Sequence, residues 1–329
     1  RANVECLDVR CANVADCLET LPSADVLVGG PPCQGFSHAG LRLGDKDERD
    51  GIPTFVAAIE KTSPRMFLME QVPGYLTFAE GRYAQKTVAR MTSLRYVVQT
   101  RSLDAVNFGV PQFRERVWTW GIRQDVYDGG VRHRWPKPTH TWPWPKQSCM
   151  FGGDLLPAVT VGQALGLSLE PDSRRIDGAT GWSGQRVLGG EVPSVSITGE
   201  GQNPEFIGVY DAQNETAHGL GEPIGTIQGR AQEKGGKAGH YAIRRAVRRL
   251  TPDECARLQS MPDSFVWPAS VAKTHRYRVI GNGQASLMVK RLGEAMKLAD
   301  PQSETVISLF CGGGVGDVGW HGKAWEYVP

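Results

Sequence analysis

The sequence predicts an α/β protein built on a doubly wound, mostly parallel sheet, with a second, smaller domain of short strands and loops. The sheet is predicted because short apolar runs alternate with amphipathic, helix-length stretches over the first hundred residues. The smaller domain is predicted because residues 150–245 are rich in Gly, Pro, Ser and Thr and have little helical periodicity. A chain of 329 residues is long enough for both.

Each predicted element follows from its hydrophobic period and from the residues that end it. In chain order, strands are predicted over 4–8, 25–30, 66–70, 96–101 and 306–310, and helices over 14–21, 54–60, 82–94, 251–259 and 285–298. The helix at 251 begins with a capping box formed by Thr251 and Glu254. The character of the chain changes near residue 126, so we divide it into residues 1–125, 126–271 and 272–329, with the first and last parts completing one domain.

Composition excludes several classes of protein. Apolar residues at 40% and charged residues at 22% are ordinary globular values, and no apolar run is long enough to span a bilayer. We therefore expect a soluble, intracellular protein. The seven cysteines are scattered without a CxxC pair, so neither a disulfide framework nor a metal site is expected. The net charge is only +2, but residues 230–249 are strongly basic, as suits either a solvated loop or a surface for a phosphate backbone.

One cysteine stands in a distinctive setting. Cys33 follows two prolines at the end of the predicted strand 25–30, and Gly35 comes two residues later. Prolines stiffen the approach and the glycine loosens the chain beyond it, so this thiol is presented at the edge of the sheet rather than buried. A second motif, Gly312 to Gly316 after the last strand, allows a nucleotide-like ligand to approach the backbone, although alone it is a weak signal.

Six motifs spread over nearly the whole chain resemble those of the DNA (cytosine-5)-methyltransferases. The resemblance is carried by Pro31-Pro32-Cys33-Gln34-Gly35-Phe36-Ser37, Glu70-Gln71-Val72, Gln112-Phe113-Arg114-Glu115-Arg116, the segment 249–263, Ile280-Gly281-Asn282-Gly283 and Phe310-Cys311-Gly312-Gly313-Gly314. In most of that family the Phe-x-Gly motif opens the chain, whereas here it closes it. Joining the end to the beginning restores the usual order, so we predict a circular permutation. The acidic residue that binds the cofactor ribose in the family has no counterpart at this join.

The resemblance implies a covalent mechanism. Cys33 would add to C6 of cytosine, which makes C5 nucleophilic toward the methyl group of S-adenosylmethionine. Glu70, in its protonated form, would donate to N3 of the base. Arg116, together with Arg114, would hold the base O2 and the phosphates while negative charge develops.

It also implies a cofactor site and a DNA surface. S-adenosylmethionine, with S-adenosylhomocysteine as the product, would lie against the residues Phe310, Gly312, Gly314, Asp8, Pro31 and Asn282. The partner would be double-stranded DNA, with the target cytosine flipped out of the stack. The expected DNA contacts are Gln34, Ser37, Arg42, Arg244, Arg245, Arg248 and Arg249. Residues 126–271 would then be the target-recognition domain of a monomer that acts in the cytoplasm or nucleoid, or in a nucleus.

Three alternatives stay open at this point. One branch of the family acts on tRNA, so an RNA cytosine-5 methyltransferase of the same fold is the nearest. A catalytically silent DNA-binding homologue is the second, because Gln71 stands where the family has Asn. The third, a cysteine-dependent oxidoreductase, leaves the Gln112 to Arg116 motif and the segment 249–259 without a role.

Overall fold

The structure is a computed structural model. It describes residues 18, 21–32, 50–141, 155–166, 208–211, 216–219, 241–243, 248–249, 251–320 and 326–327. The predicted strand 4–8 and most of the predicted helix 14–21 lie outside these residues, as do the site predictions Asp8, Cys33, Gln34, Ser37, Arg42, Arg244 and Arg245.

Twelve strands and eight α-helices are found in the described residues. The strands are β1 (Val26–Gly29), β2 (Met66–Gln71), β3 (Tyr96–Asp104), β4 (Glu115–Arg123), β5 (His140–Thr141), β6 (Leu156–Pro157), β7 (Gly208–Asp211), β8 (Thr216–Gly219), β9 (Tyr241–Ile243), β10 (Arg248–Arg249), β11 (Thr305–Leu309) and β12 (Glu326–Tyr327). The helices are α1 (Ile52–Thr62), α2 (Gly74–Thr77), α3 (Arg82–Ser93), α4 (Gln124–Asp128), α5 (Val161–Leu165), α6 (Pro252–Leu258), α7 (Lys273–Asn282) and α8 (Ser286–Ala299).

The chain divides into two compact units whose bounds differ from the predicted ones. The first unit contains residues 1–104, 115–137 and 289–329, and the second contains residues 105–114 and 138–288. The short segment 105–114 thus groups with the second unit, and residues 126–137 group with the first. The functional division into catalytic and recognition domains stays a prediction.

The first unit is built on a six-stranded sheet in the order β12-β11-β1-β2-β4-β3. The first four strands are parallel, β4 runs antiparallel to them, and β3, which pairs antiparallel with β4, again has their direction. Strands β1 and β2 are buried along their whole length, as their unbroken apolar runs require in a parallel sheet covered on both faces. This confirms the predicted fold class of a mostly parallel, doubly wound sheet.

A hydrogen-bonded clamp fixes the start of β1 beside β11. The carboxylate of Asp25 accepts from the backbone N–H groups of Glu304, at 2.8 Å, and Thr305, at 3.0 Å, and from the Thr305 hydroxyl at 2.9 Å. Burial pushes the pKa of Asp25 upward, but these hydrogen bonds and the nearby Arg65 outweigh it, and the net pKa lies below its ordinary value. The clamp joins residues nearly 280 positions apart in the sequence.

The second unit has its own sheets. Strands β7 to β10 form an antiparallel sheet in the order β10-β9-β7-β8, and β5 pairs in parallel with β6. Helix α6 begins at the predicted capping box, in which the Thr251 hydroxyl accepts from the Glu254 N–H and the Glu254 carboxylate accepts from the Thr251 N–H. That prediction is confirmed.

Strand β4 and helix α7 are two of the described elements that were not predicted. Strand β4 contains two tryptophans, charged residues and a glycine, so it lacks the apolar run that identifies β1 and β2. Helix α7 carries charged or polar residues over most of its length, and only Ile280 and Gly281 near its end are buried. In both elements tertiary packing, rather than periodicity, determines the structure.

We expect Gly121→Ala to destabilise the first unit. Gly121 lies opposite Phe67 in the β2–β4 register, and a Cβ there would stand 2.0 Å from the nearest atom of that fully buried ring. The overpacking should lower the free energy of unfolding by about 1–3 kcal/mol. Urea denaturation measures it. Gly129→Ala is the control because Gly129 has an ordinary helical backbone and a Cβ there would stand 3.3 Å from the nearest atom. Equal effects of the two changes would contradict the packing argument.

Candidate active site

Three parallel strands of the first unit end at the same level. Gly29 of β1 is in register with Met69 of β2 and with Leu309 of β11. The next residues along these strands are those that the sequence predicts to be functional: Pro31 after β1, Glu70 at the end of β2 and Phe310 after β11. Ligands of open α/β sheets bind at this carboxyl edge. The topology therefore brings together motifs that are far apart in the sequence.

Glu70 and Arg116 form an ion pair at this edge. Arg116 Nε lies 2.9 Å from Glu70 Oε1, and the two side chains keep only 15% and 11% of their surface exposed. Glu70 pairs with Trp118 across the β2–β4 ladder, and Arg116, two residues before Trp118, points to the same face of the sheet. The pair is shielded enough to hold one orientation and open enough for a ligand to reach it.

Gln71 links β2 to the segment that leads to Cys33. Its side chain is fully buried, and Nε2 donates to the Pro31 carbonyl at 3.0 Å. Within the described part of the chain, no donor reaches its Oε1. The backbone two residues before Cys33 is thus held by a side chain of the neighbouring strand.

The glycine turn after β11 provides an open cradle. Phe310 adopts the left-handed region with φ 58°, and Gly312 and Gly314 follow with φ 57° and 73°. Among the described residues, no heavy atom lies within 4 Å of where a Cβ would stand on either glycine. A ligand could lie directly on this backbone, and a left-handed Phe is a strained conformation of the kind found at ligand sites.

The Phe310 ring also contacts the start of α1. A Cβ on Gly51 would lie 3.1 Å from this ring and 2.6 Å from Cδ of Pro32. Gly51 therefore packs its backbone against both neighbours, and any other residue there would push them apart.

In the second unit, a buried polar network surrounds the Gly281-Asn282-Gly283 motif. Gln112 Nε2 donates to Gln259 Oε1 at 2.7 Å, and Gln259 Nε2 donates to the carbonyls of Ile280, at 3.1 Å, and Gly283, at 2.8 Å. Both glutamines are fully buried. The end of α7, where Asn282 lies, is therefore held by a residue of another motif.

Arg114 belongs to the same network. Its Nη2 donates to the carbonyls of Gly281, at 3.2 Å, and Gly283, at 2.7 Å, and only 3% of the residue is exposed. A cation at these carbonyls also complements the negative end of the helix dipole. These contacts are structural, and the catalytic role for Arg114 stays a prediction.

The other cysteines of the described residues differ in accessibility. Cys255 is buried in α6, and burial raises the pKa of its thiol to about 12. Cys311 is partly exposed after Phe310. No group of three or more His, Cys, Asp or Glu side chains in the described residues is arranged to bind a metal ion. Nor do the described helices include one with the length and hydropathy that crossing a membrane requires.

A comparison with models of protein families identifies the family of this chain. The model of the C-5 cytosine-specific DNA methylases matches residues 1–298. The chain belongs to that family. As a DNA methylase of this family, it transfers a methyl group from S-adenosylmethionine to C5 of cytosine in DNA.

Relatives of this DNA methylase support the assignment. Type II methyltransferase M.AplI of Arthrospira platensis is 30% identical over 283 residues, which is 83% of this chain and 68% of the relative. Type II methyltransferase M.NlaX of Neisseria lactamica is 30% identical over 298 residues, covering 89% and 81%. A crystal structure assigned as a prophage-encoded DNA modification methyltransferase of E. coli has a TM-score of 0.53 at 20% identity, covering 88% of this chain and 83% of that one, and shows the fold alone.

Sequence reasoning missed several of the contacts that position the methylase motifs. Gln112 and Gln259 were each part of a motif, but nothing in the sequence indicated that they bind one another over 147 positions. Asp50 and Tyr83, whose contact lies beside Gly51, were in no motif at all. Their only local signal is an Asp two residues before the Ile-Pro that starts α1.

We expect Arg114→Met to destabilise the second unit because two buried carbonyls lose a charged donor. The loss should be about 2–4 kcal/mol in the free energy of unfolding, measured by urea denaturation. Arg257→Met is the matched control: Arg257 lies in the same unit and pairs at the surface with Asp263, so its loss should cost at most about 1 kcal/mol. Unchanged stability with lost methyl transfer would instead favour the catalytic role predicted for Arg114.

Proposed function

We propose that this DNA methylase modifies a flipped-out cytosine in duplex DNA through a covalent bond from the Cys33 sulfur to C6. The observation that carries the proposal is the Glu70–Arg116 ion pair at the carboxyl edge of the sheet. The chain leaves the same edge at Pro31 and Pro32 toward Cys33, and Phe310 lies beside Gly51 and Pro32.

The chemistry requires each of these residue types. The Cys33 thiolate adds to C6, the ring electrons move toward N3, and the Glu70 carboxyl group, which takes up a proton before the base reacts, gives that proton to N3. C5 then uses the enamine electrons to form a bond to the methyl carbon, and the carbon–sulfur bond of the donor breaks. Loss of the C5 proton to water and of the Cys33 thiolate restores the aromatic ring, and the N3 proton returns to Glu70. The net result is that a methyl group replaces the proton on C5.

Arg116 has two functions in this scheme. Its Nε bond fixes one oxygen of Glu70, so that the carboxyl group approaches the base in one orientation. Its guanidinium also offers further N–H groups to the base O2, where negative charge develops. The partial burial of the pair strengthens both interactions by excluding water.

The glycine turn would hold the cofactor. S-adenosylmethionine supplies a methyl group on a positively charged sulfur, which makes that carbon electrophilic. Phe310 offers an aromatic ring, and Gly312 and Gly314 leave open backbone where a side chain would obstruct a ligand. Pro31 lies at the same edge. Asp8 and Asn282 complete the proposed set by resemblance alone.

The structure of the Gln71 contact argues against the silent alternative. The longer side chain still reaches the Pro31 carbonyl, so a link to the cysteine segment is made in spite of the exchange from Asn. The tRNA alternative is disfavoured because the matching family model describes cytosine-specific DNA methylases.

We further infer that the order of the motifs is permuted, that the protein is a monomer, and that it serves as a type II modification enzyme. Parallel pairing of β11 with β1 supports the permutation, because the last apolar strand takes the place beside the first. Residues 126–271 would read the DNA sequence, with Arg244, Arg245, Arg248 and Arg249 on the phosphates and Gln34, Ser37 and Arg42 near the flipped base.

We expect Cys33→Ser to abolish covalent trapping. A duplex that carries 5-fluorocytosine at the target, with S-adenosylmethionine, should give a denaturation-resistant adduct of the unmodified protein, because fluorine at C5 cannot leave as a proton does. Gel electrophoresis in denaturant measures the adduct. Cys255→Ala is the control and should still be trapped, since its buried thiol cannot ionise at neutral pH. An adduct with Cys33→Ser, or none with the unmodified protein bound to DNA, would overturn the mechanism.

We expect Glu70→Gln to lower kcat by about 10²–10⁴, the usual contribution of a positioned proton donor, while DNA binding persists. Glu60→Gln is its control because it removes the same charge from an exposed ion pair with Arg90. Single-turnover methylation of labelled duplex measures both. Equal rates for Glu70→Gln and the unmodified protein would exclude Glu70 as the proton donor.

A further inference from the structure

A contact between α3 and the start of α1 lies close to the glycine turn. The Tyr83 hydroxyl on α3 donates to Oδ2 of Asp50, and the other oxygen of that carboxylate accepts from the Ile52 N–H at 3.0 Å. Helix α1 has glycine at its N-cap and no side-chain cap there, so Asp50 satisfies one of its free donors. One carboxylate therefore links α3 to the start of α1.

The donor of this contact is held rigidly. The Tyr83 ring packs edge-on against Tyr75 and Phe78, with centroids 6.2 and 6.3 Å away. Its carbonyl accepts from the Thr87 hydroxyl at 3.0 Å. Because the ring has little freedom left to lose, its hydroxyl can fix Asp50 at small entropic cost.

The acceptor lies next to the reacting groups. Asp50 precedes Gly51, whose backbone contacts the Phe310 ring and Pro32. Pro32 in turn precedes Cys33, and Phe310 opens the cradle for the methyl donor. A shift of Asp50 would therefore move Gly51 away from the residues that flank both the nucleophile and the cofactor.

We propose that Tyr83 and Asp50 are positioning residues for methyl transfer: their hydrogen bond holds Gly51 against Pro32 and Phe310, and so sets the distance between the cysteine segment and the cofactor cradle. This rests on the proposed function. The enzyme mechanism and the sequence motifs assign no role to either of them.

Tyr83→Phe tests the proposal because it removes the hydroxyl and keeps the ring. Binding of S-adenosylhomocysteine, measured by calorimetry, should weaken about fivefold, the factor that one lost hydrogen bond gives. The value of kcat on duplex DNA should fall about tenfold, because small displacements at a reacting centre are costly. Asp50→Ala combined with Tyr83→Phe should be no worse than Asp50→Ala alone, since both act through one contact.

Tyr96→Phe is the matched control. Its hydroxyl is buried in the first unit and donates to the Pro64 carbonyl at 2.7 Å, just before the start of β2, whereas Glu70 lies at the other end of that strand. It should lower Tm as much as Tyr83→Phe does and leave kcat and ligand affinity unchanged. If Tyr83→Phe likewise lowers only Tm, the contact is merely structural and the proposal is wrong. A protein that binds S-adenosylhomocysteine but never methylates DNA would overturn the proposed function instead, and the binding data alone would then decide on the contact.

Discussion

The parallel pairing of β11 with β1 is the constraint on which the site depends. It places Leu309 level with Gly29, and β2 on the other side places Met69 at the same level. The Asp25 carboxylate secures this pairing at the opposite ends of the strands, where it binds the backbone of Glu304 and Thr305. A parallel pair of such short strands has few ladder bonds, so a partly buried clamp at its start matters for register. Because the register is fixed, the prolines that lead to Cys33, the Glu70 carboxylate and the Phe310 ring all lie at one edge of the sheet.

The residues of the Gln112 to Arg116 motif have two different roles, because only some of them lie in a strand and share its alternation of side chains. Arg116 lies on β4 and projects to the face that carries Glu70, whereas Arg114 precedes the strand and binds the carbonyls at the end of α7. Gln112 joins Gln259 in the same network. Gln112, Arg114 and Arg116 are spaced two residues apart, so they would all project to one face of the sheet if a single strand contained all three. Because β4 begins at Glu115, the motif supplies the ion pair with one residue and stabilises the neighbourhood of Asn282 with the other two.

The sequence predicted what depends on local pattern. Apolar runs ended by glycine or an acidic residue gave β1, β2 and β11 within one or two residues, and the Thr251 capping box gave the start of α6. It did not predict β4, whose Trp-rich composition resembles no buried strand, or the reversed direction of β4 between β2 and β3. For the site, motifs identified Glu70 and Arg116 individually, but their pairing needs the β2–β4 register. Contacts such as that of Tyr83 with Asp50 join loops and helices of unrelated sequence, so no local pattern contains them.

Gln71 positions the backbone of the active site at a cost to the stability of the fold. Its amide is fully buried, and only Nε2 finds a partner among the described residues, the Pro31 carbonyl. A buried acceptor without a hydrogen bond costs about 1–3 kcal/mol, so an apolar residue of similar size would avoid that cost. It would also leave the Pro31 carbonyl without its donor and the backbone before Cys33 without a tie to β2. An amide at position 71 is therefore explained by the need to fix that backbone, and the extra methylene relative to Asn is tolerated because the donor still reaches the carbonyl at 3.0 Å.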